Sequence, residues 1–144
     1  MNDLLKDLYQ EIILDHGQDP RNFGECDNHN KSAKGHNPLC GDIVQVTLIV
    51  DQHDTIKDIK FSGEGCAISI ASASLMTEKL KNKSLDEADK IFNDFTNLVK
   101  GQTEGLITLT EEDSLYALKG VEAFPMRVKC ATMVWHTYKS AVNG

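Results

Sequence analysis

Leu4, Leu5, Leu8, Ile12 and their neighbours Tyr9 and Ile13 recur at three- and four-residue steps, which predicts an amphipathic helix from residue 3 to about 16, with Gly17 as its stop. A stretch rich in turn formers follows, Asp19-Pro20-Arg21-Asn22-Phe23-Gly24, and the polar run to His36 has room for a short edge strand around Asn30 to Lys34. From Ile43 the pattern changes to alternation. Ile43, Val44, Val46, Leu48 and Val50 among Gln45, Thr47 and Asp51 predict a half-buried strand, and Ile56, Ile59 and Phe61 predict its antiparallel partner beyond a turn at Asp51 to Thr55.

The second half returns to helical spacing. Ile70, Ala73, Leu75, Met76 and Leu80 predict a helix over Ala67 to Lys81, whose small residues Ala67, Ser69, Ala71, Ser72, Ala73 and Ser74 invite close approach by another element. Ser84-Leu85-Asp86-Glu87 reads as a capping box opening a helix that Gly101 ends. Thr110 and the acidic residues after it precede a short capped helix carrying Leu115, Tyr116 and Leu118. Pro125 suits the first turn of a last helix to about Val142, with Met126, Cys130, Met133, Val134, Thr137 and Ala141 along one face. This order predicts an α+β fold, a small antiparallel sheet of about three strands with helices packed on one face, in a single domain over 1–144.

Composition narrows the partners. Fifteen basic against 22 acidic residues give a net charge of −7, which repels phosphate and argues against nucleic acid. No apolar run approaches the roughly 20 residues of a membrane span, and Asp3, Lys6 and Asp7 make the N-terminal stretch a poor secretory leader. A cytoplasmic protein without membrane contact is expected. There, cysteines serve metal binding or catalysis more often than disulfides.

The four cysteines, Cys26, Cys40, Cys66 and Cys130, include no Cys-x-x-Cys pair, so any metal site must be assembled by the fold. In Asn37-Pro38-Leu39-Cys40-Gly41-Asp42, a thiol and a carboxylate two positions apart lie on the same side of an extended chain and can reach one ion. Cys66 stands where a helix begins, so backbone N–H groups and the helix dipole favour its thiolate. Cys130 shares an apolar stripe and reads equally as a buried structural cysteine, but Arg127 and Lys129 beside it favour a thiolate. Cys26 has no such context and is expected as a loop or partly buried thiol. His36 is a reserve ligand at most, and His16, His29, His53 and His136 have weaker claims. The serines between Ser69 and Ser74 have no His/Asp partner arrangement in the sequence that would make one a nucleophile.

Taken together, Asn-Pro-Leu-Cys-Gly-Asp, Gly-Glu-Gly-Cys-Ala-Ile-Ser, Arg-Val-Lys-Cys-Ala-Thr and the stretch from His16 through Pro20-Arg21-Asn22 resemble the IscU/NifU N-terminal family of iron–sulfur cluster assembly proteins. The SufU branch resembles this chain more than the IscU scaffolds do. Lys129 stands where scaffolds carry a histidine, Phe124-Pro125-Met126-Arg127-Val128-Lys129 replaces their chaperone-recognition segment, and the connection from Cys66 to Cys130 is longer, with the added length placed at Gly101 to Gly120.

The resemblance implies one tetrahedral Zn2+ bound by Cys40, Asp42, Cys66 and Cys130, and sulfur accepted from a SufS-like, pyridoxal-phosphate-dependent cysteine desulfurase for downstream iron–sulfur assembly proteins. Arg127 and Lys129 would offset the charge that three thiolates and a carboxylate leave over zinc. Cys40, on a loop where Cys66 and Cys130 are on helices, is the expected catalytic residue, exchanging its zinc bond for attack on the partner's persulfide. A scaffold holding a [2Fe–2S] cluster or iron on the same ligands, and a non-catalytic zinc module regulating the desulfurase, are the alternatives.

Overall fold

The computed structural model describes residues 3–38 and 41–144, with side chains from Gln10 onward. Leu39 and Cys40 thus lie outside the described residues, as do the side chains of Leu4, Leu5, Leu8 and Tyr9. The elements run α1 (Asp3–Gln18), β1 (Lys31–Asn37), β2 (Asp42–Val50), β3 (Ile56–Glu64), α2 (Ala67–Leu80), α3 (Leu85–Leu98), a 3-10 helix (Ser114–Ala123) and α4 (Pro125–Asn143). The three strands form an antiparallel sheet in the order β1-β2-β3.

Alternation along β2 decides which face is covered. Val44, Val46, Leu48 and Val50 are buried, and across the ladder Phe61 pairs with Val46 and Ile59 with Leu48, giving one apolar face. Helices α2 and α4 pack on the sheet, and their Met76, Leu80, Val134 and Trp135 join its residues in the core, with Phe95 of α3 stacked on Trp135 at 4.4 Å between ring centroids. On the opposite face, Cys26 covers Thr47: its backbone N–H donates to the Thr47 hydroxyl at 2.9 Å. The stretch from Asn22 to Gly24 lines the outer edge of β3 by backbone hydrogen bonds with Phe61.

Three boundaries differ from the pattern. Gly17 does not stop α1, which continues to Gln18; it lies beside the start of α2, where a Cβ would meet the Ala67 carbonyl oxygen in ordinary contact at 3.4 Å. The edge strand extends to Asn37 rather than ending near Lys34, because its inward positions Ala33 and Gly35 are small enough to lie under α4. The short helix after the acidic run is a 3-10 helix capped by Asp113, not Thr110; one Asp113 oxygen accepts from Leu115 N–H at 3.2 Å and the other from Lys79 at 2.6 Å.

The capping box at Ser84 and Glu87 is formed, and Pro125 occupies the first turn of α4. The Gly101 to Gly120 connection is pinned to α3 by Asp94, whose Oδ2 accepts from the Ile107 and Thr108 N–H groups at 2.9 and 2.5 Å and from the Thr108 hydroxyl at 2.6 Å. Among the described residues, no helix is long and apolar enough to cross a membrane.

Candidate metal centre

Three elements end at one place. Asp42 is the first residue of β2, Cys66 caps the N-terminus of α2 directly after β3, and Cys130 lies in the second turn of α4. At this open end of the hairpin the two strands approach closely: Gly63 pairs with Val44 at φ +138°, and a Cβ on it would fall 2.0 Å from the Ile43 carbonyl oxygen. That contact with backbone leaves no alternative to glycine, and it sets the register that carries Asp42 up to Cys66.

One ligand atom each from Asp42, Cys66 and Cys130 lies within 4.8 Å of the other two. Cys66 and Cys130 form no disulfide among the described residues; Cys130 is buried and Cys66 half-buried. The Cys66 backbone N–H donates to Asp42 Oδ1 at 3.0 Å. Asp42 Oδ2 is buried and has no hydrogen-bond partner among the described residues. A carboxylate oxygen taken out of water without a donor is costly, and a cation beside it removes that cost. Two thiols and a carboxylate are a donor set that suits zinc and, through the thiols, iron–sulfur units. The residues present therefore fit the metal expected of this pattern, with Cys40, two positions before Asp42, beyond the described residues.

Electrostatics at Cys66 favour its thiolate. Burial pushes the thiol up, but hydrogen bonding to the Ser69 backbone and hydroxyl and to the Cys130 thiol outweighs it, against the Asp42 charge, and the group lies below its ordinary 9.0. Cys26 is moved the other way: burial pushes its thiol up despite the hydrogen bond with Thr47, as suits a packed thiol with no chemistry to do. It is more deeply buried than the sequence suggested, at 1% exposure. Arg127 and Lys129 are exposed on the first turns of α4, so any offset they give the centre is weakened by solvent and salt.

Of the histidines, His36 is exposed on β1 and stands outside the Asp42, Cys66 and Cys130 group. His29 Nδ1 lies 3.0 Å from the Cys26 carbonyl oxygen, and His136 packs edge-on against Phe92. His16, a weak ligand candidate from the sequence, has a partner that no motif revealed. It is buried on α1 with Nδ1 2.7 Å from Ser74 Oγ and Nε2 3.6 Å from Glu78 Oε1, so one serine of α2 does have a histidine partner. The pair is separated by 58 residues, which no local spacing could reveal. Ser74 is fully buried and also accepts from the Arg21 N–H at 2.8 Å, an arrangement that fastens helices and admits no substrate.

The small residues of α2 do admit two neighbours, as their sizes suggested. Gly17 and His16 bring α1 against one side, and on another the Ser72 hydroxyl donates to the Ala131 carbonyl of α4 at 2.5 Å and accepts from the Trp135 indole N–H at 3.1 Å. This close packing holds Cys66 and Cys130 at one end of the molecule.

A family model described as the NifU-like N terminal domain matches residues 8–131. The chain is 39% identical over 139 residues to the zinc-dependent sulfurtransferase SufU of Bacillus subtilis, covering 96% of this chain and 91% of that protein. It is 38% identical over 139 residues to the iron–sulfur cluster assembly scaffold protein IscU of Streptococcus pyogenes, covering 96% and 85%. The crystal structure of FiSufU from the thermophilic Fervidobacterium islandicum superposes with a TM-score of 0.80 at 33% identity, covering 91% of this chain and 93% of that one. The chain belongs to the NifU-like N-terminal domain family.

Proposed function

We propose that this chain is a zinc-dependent sulfurtransferase of iron–sulfur cluster assembly, acting as a single domain that accepts persulfide sulfur from a SufS-like cysteine desulfurase. The observation that carries this reading is the convergence of Asp42, Cys66 and Cys130, with one Asp42 oxygen buried and without a hydrogen-bond partner among the described residues. The similarity to a zinc-dependent sulfurtransferase along nearly the whole chain supports it. Zinc held by Cys40, Asp42, Cys66 and Cys130 would keep its thiol ligands deprotonated near neutral pH.

Cys40 is the sulfur acceptor in this account. Its thiolate attacks the outer sulfur of the partner's cysteine persulfide, the partner's S–S bond breaks, and the partner cysteine departs as a thiolate while a new S–S bond forms on Cys40. The sulfur moves with its charge unchanged, so no outside oxidant or reductant takes part. Asp42, Cys66 and Cys130, fixed on a strand and two helices, hold the site together through this exchange. The sulfur on Cys40 then passes to a downstream assembly protein by the same thiol exchange.

The test is cysteine-dependent alanine and sulfide production by the cognate desulfurase, with and without the zinc-loaded chain. The account predicts a stimulation that is lost in Cys40→Ala. The IscU relative gives a second outcome its meaning: no stimulation, but a visible-absorbing cluster that reconstitutes anaerobically and moves to an apo-protein, would identify a scaffold instead.

A further inference from the structure

We propose that Gly65 is a positioning residue for Asp42: its missing side chain leaves the space in which the Cys66 N–H holds Oδ1, so that Oδ2 remains the metal-donating oxygen. The inference rests on the reading of Asp42 as a ligand given above. A Cβ built on Gly65 would lie 2.6 Å from Asp42 Oδ1 and 3.1 Å from its carboxyl carbon, and 2.3 Å from Ser69 Oγ. Contacts so short cannot stand, so something must move.

The backbone gives Gly65 no reason to be glycine, since its φ is outside the left-handed region, unlike Gly63 at +138°. The reason lies in the two side chains. Ser69 can yield, because its hydroxyl, which donates to the Cys66 carbonyl oxygen at 2.9 Å and also lies against the Cys66 thiol, rotates about a single torsion. Asp42 has no such freedom. It is fully buried, and withdrawing Oδ1 from the intruding carbon breaks its 3.0 Å hydrogen bond with the Cys66 N–H and swings Oδ2 with it. The two carboxylate oxygens thus divide their work: one fastens strand β2 to the start of α2, and the other is kept for the cation.

The experiment compares zinc affinity, by chelator competition on the reduced full chain, for wild type, Gly65→Ala, Asp42→Ala and the double variant. Gly65→Ala is expected to weaken zinc binding by roughly tenfold to a hundredfold, the usual effect of losing an outer contact at a metal site, and to change little once Asp42 is alanine. An equal loss in both backgrounds would overturn the proposal. Adding Ser69→Ala to Gly65→Ala relieves the hydroxyl contact, removes the Ser69 hydrogen bond to the Cys66 thiol as well, and should leave affinity low; recovery to the wild-type value would assign the effect to Ser69 and also overturn it.

A metal-free measurement separates this inference from the function it rests on. The Cys66 amide proton in the reduced, zinc-free chain should shift upfield in Gly65→Ala as its bond to Asp42 is lost, and an unchanged shift sinks the positioning role whatever the metal does. Conversely, a wild-type zinc affinity indifferent to Asp42→Ala would overturn the ligand assignment while the amide shift still reports on Gly65. Should Gly65→Ala alone fail to fold, the double variant with Asp42→Ala is expected to fold; failure of both would show that Gly65 serves the backbone.

Discussion

His16 Nδ1 and Ser74 Oγ lie 2.7 Å apart and fasten α1 to the middle of α2. Burial holds the His16 imidazole below its ordinary 6.5, the Arg21 charge acts in the same direction, and Glu78 and Asp15 oppose them. The neutral ring is therefore the form the fold prefers. Its contribution to stability is complete above 6.5 and is lost as pH falls through the lower folded value. Urea unfolding of the zinc-free chain should thus show stability falling with acidification below 6.5 more steeply in wild type than in His16→Gln. Parallel curves would mean that His16 takes no part.

Trp135 and Ser72 yield a second prediction. The indole N–H has the Ser72 hydroxyl as its partner in a dry interface between α4 and α2. Ser72→Ala should destabilise the chain by about 1–3 kcal/mol, the cost of leaving a buried donor unpaired. Trp135→Phe removes that donor, so in a double-mutant cycle the Ser72→Ala cost should shrink when Phe is already present. Additive losses would contradict the pairing.

A third concerns the seat of α4 on β1. A Cβ at Gly35 would come 2.1 Å from Thr137 Oγ1, whose hydroxyl is already bound to the Met133 carbonyl. Gly35→Ala should cost about 1–3 kcal/mol as overpacking, and Thr137→Ala made with it should recover part of that loss. If the two changes simply add, the contact does not limit this interface.

The helix α3 offers a fourth. The Ser84 hydroxyl accepts from Glu87 N–H at 3.1 Å, so Ser84→Ala should lower stability by about 1 kcal/mol in denaturant titrations. No change there would mean that the cap is replaced by water without loss.

These residues also mark how far the sequence could be read. The α3 cap and the Pro125 start are local signals, complete within four residues, and both are formed as expected. The strands β2 and β3 carried alternation strong enough to predict a hairpin. Strand β1 was underestimated because its inward residues are small for the sake of α4, and Ala33 and Gly35 look like loop composition when the helix above them is 100 residues away. Gly17 looked like a helix stop because glycine commonly ends helices, but α1 runs one residue past it, beside Ala67 of α2.

The candidate site shows the same division. Asp42, Cys66 and Cys130 were legible through motifs, and they meet. The hydrogen bond that orients Asp42, the buried His16 with Ser74, and the depth of Cys26 each depend on residues 21 to 58 positions apart, beyond any periodicity.

The claim that most needs testing is sulfur on Cys40. The zinc-loaded chain would be mixed with its desulfurase and cysteine, and intact-mass spectrometry after rapid quenching would look for an added sulfur atom, located by peptide mapping. The account predicts one sulfur atom added per chain, on the Cys40 peptide and absent from Cys40→Ala. Sulfur that persists on Cys40→Ala, or that maps to Cys66 or Cys130 while Cys40 stays unmodified, would contradict it.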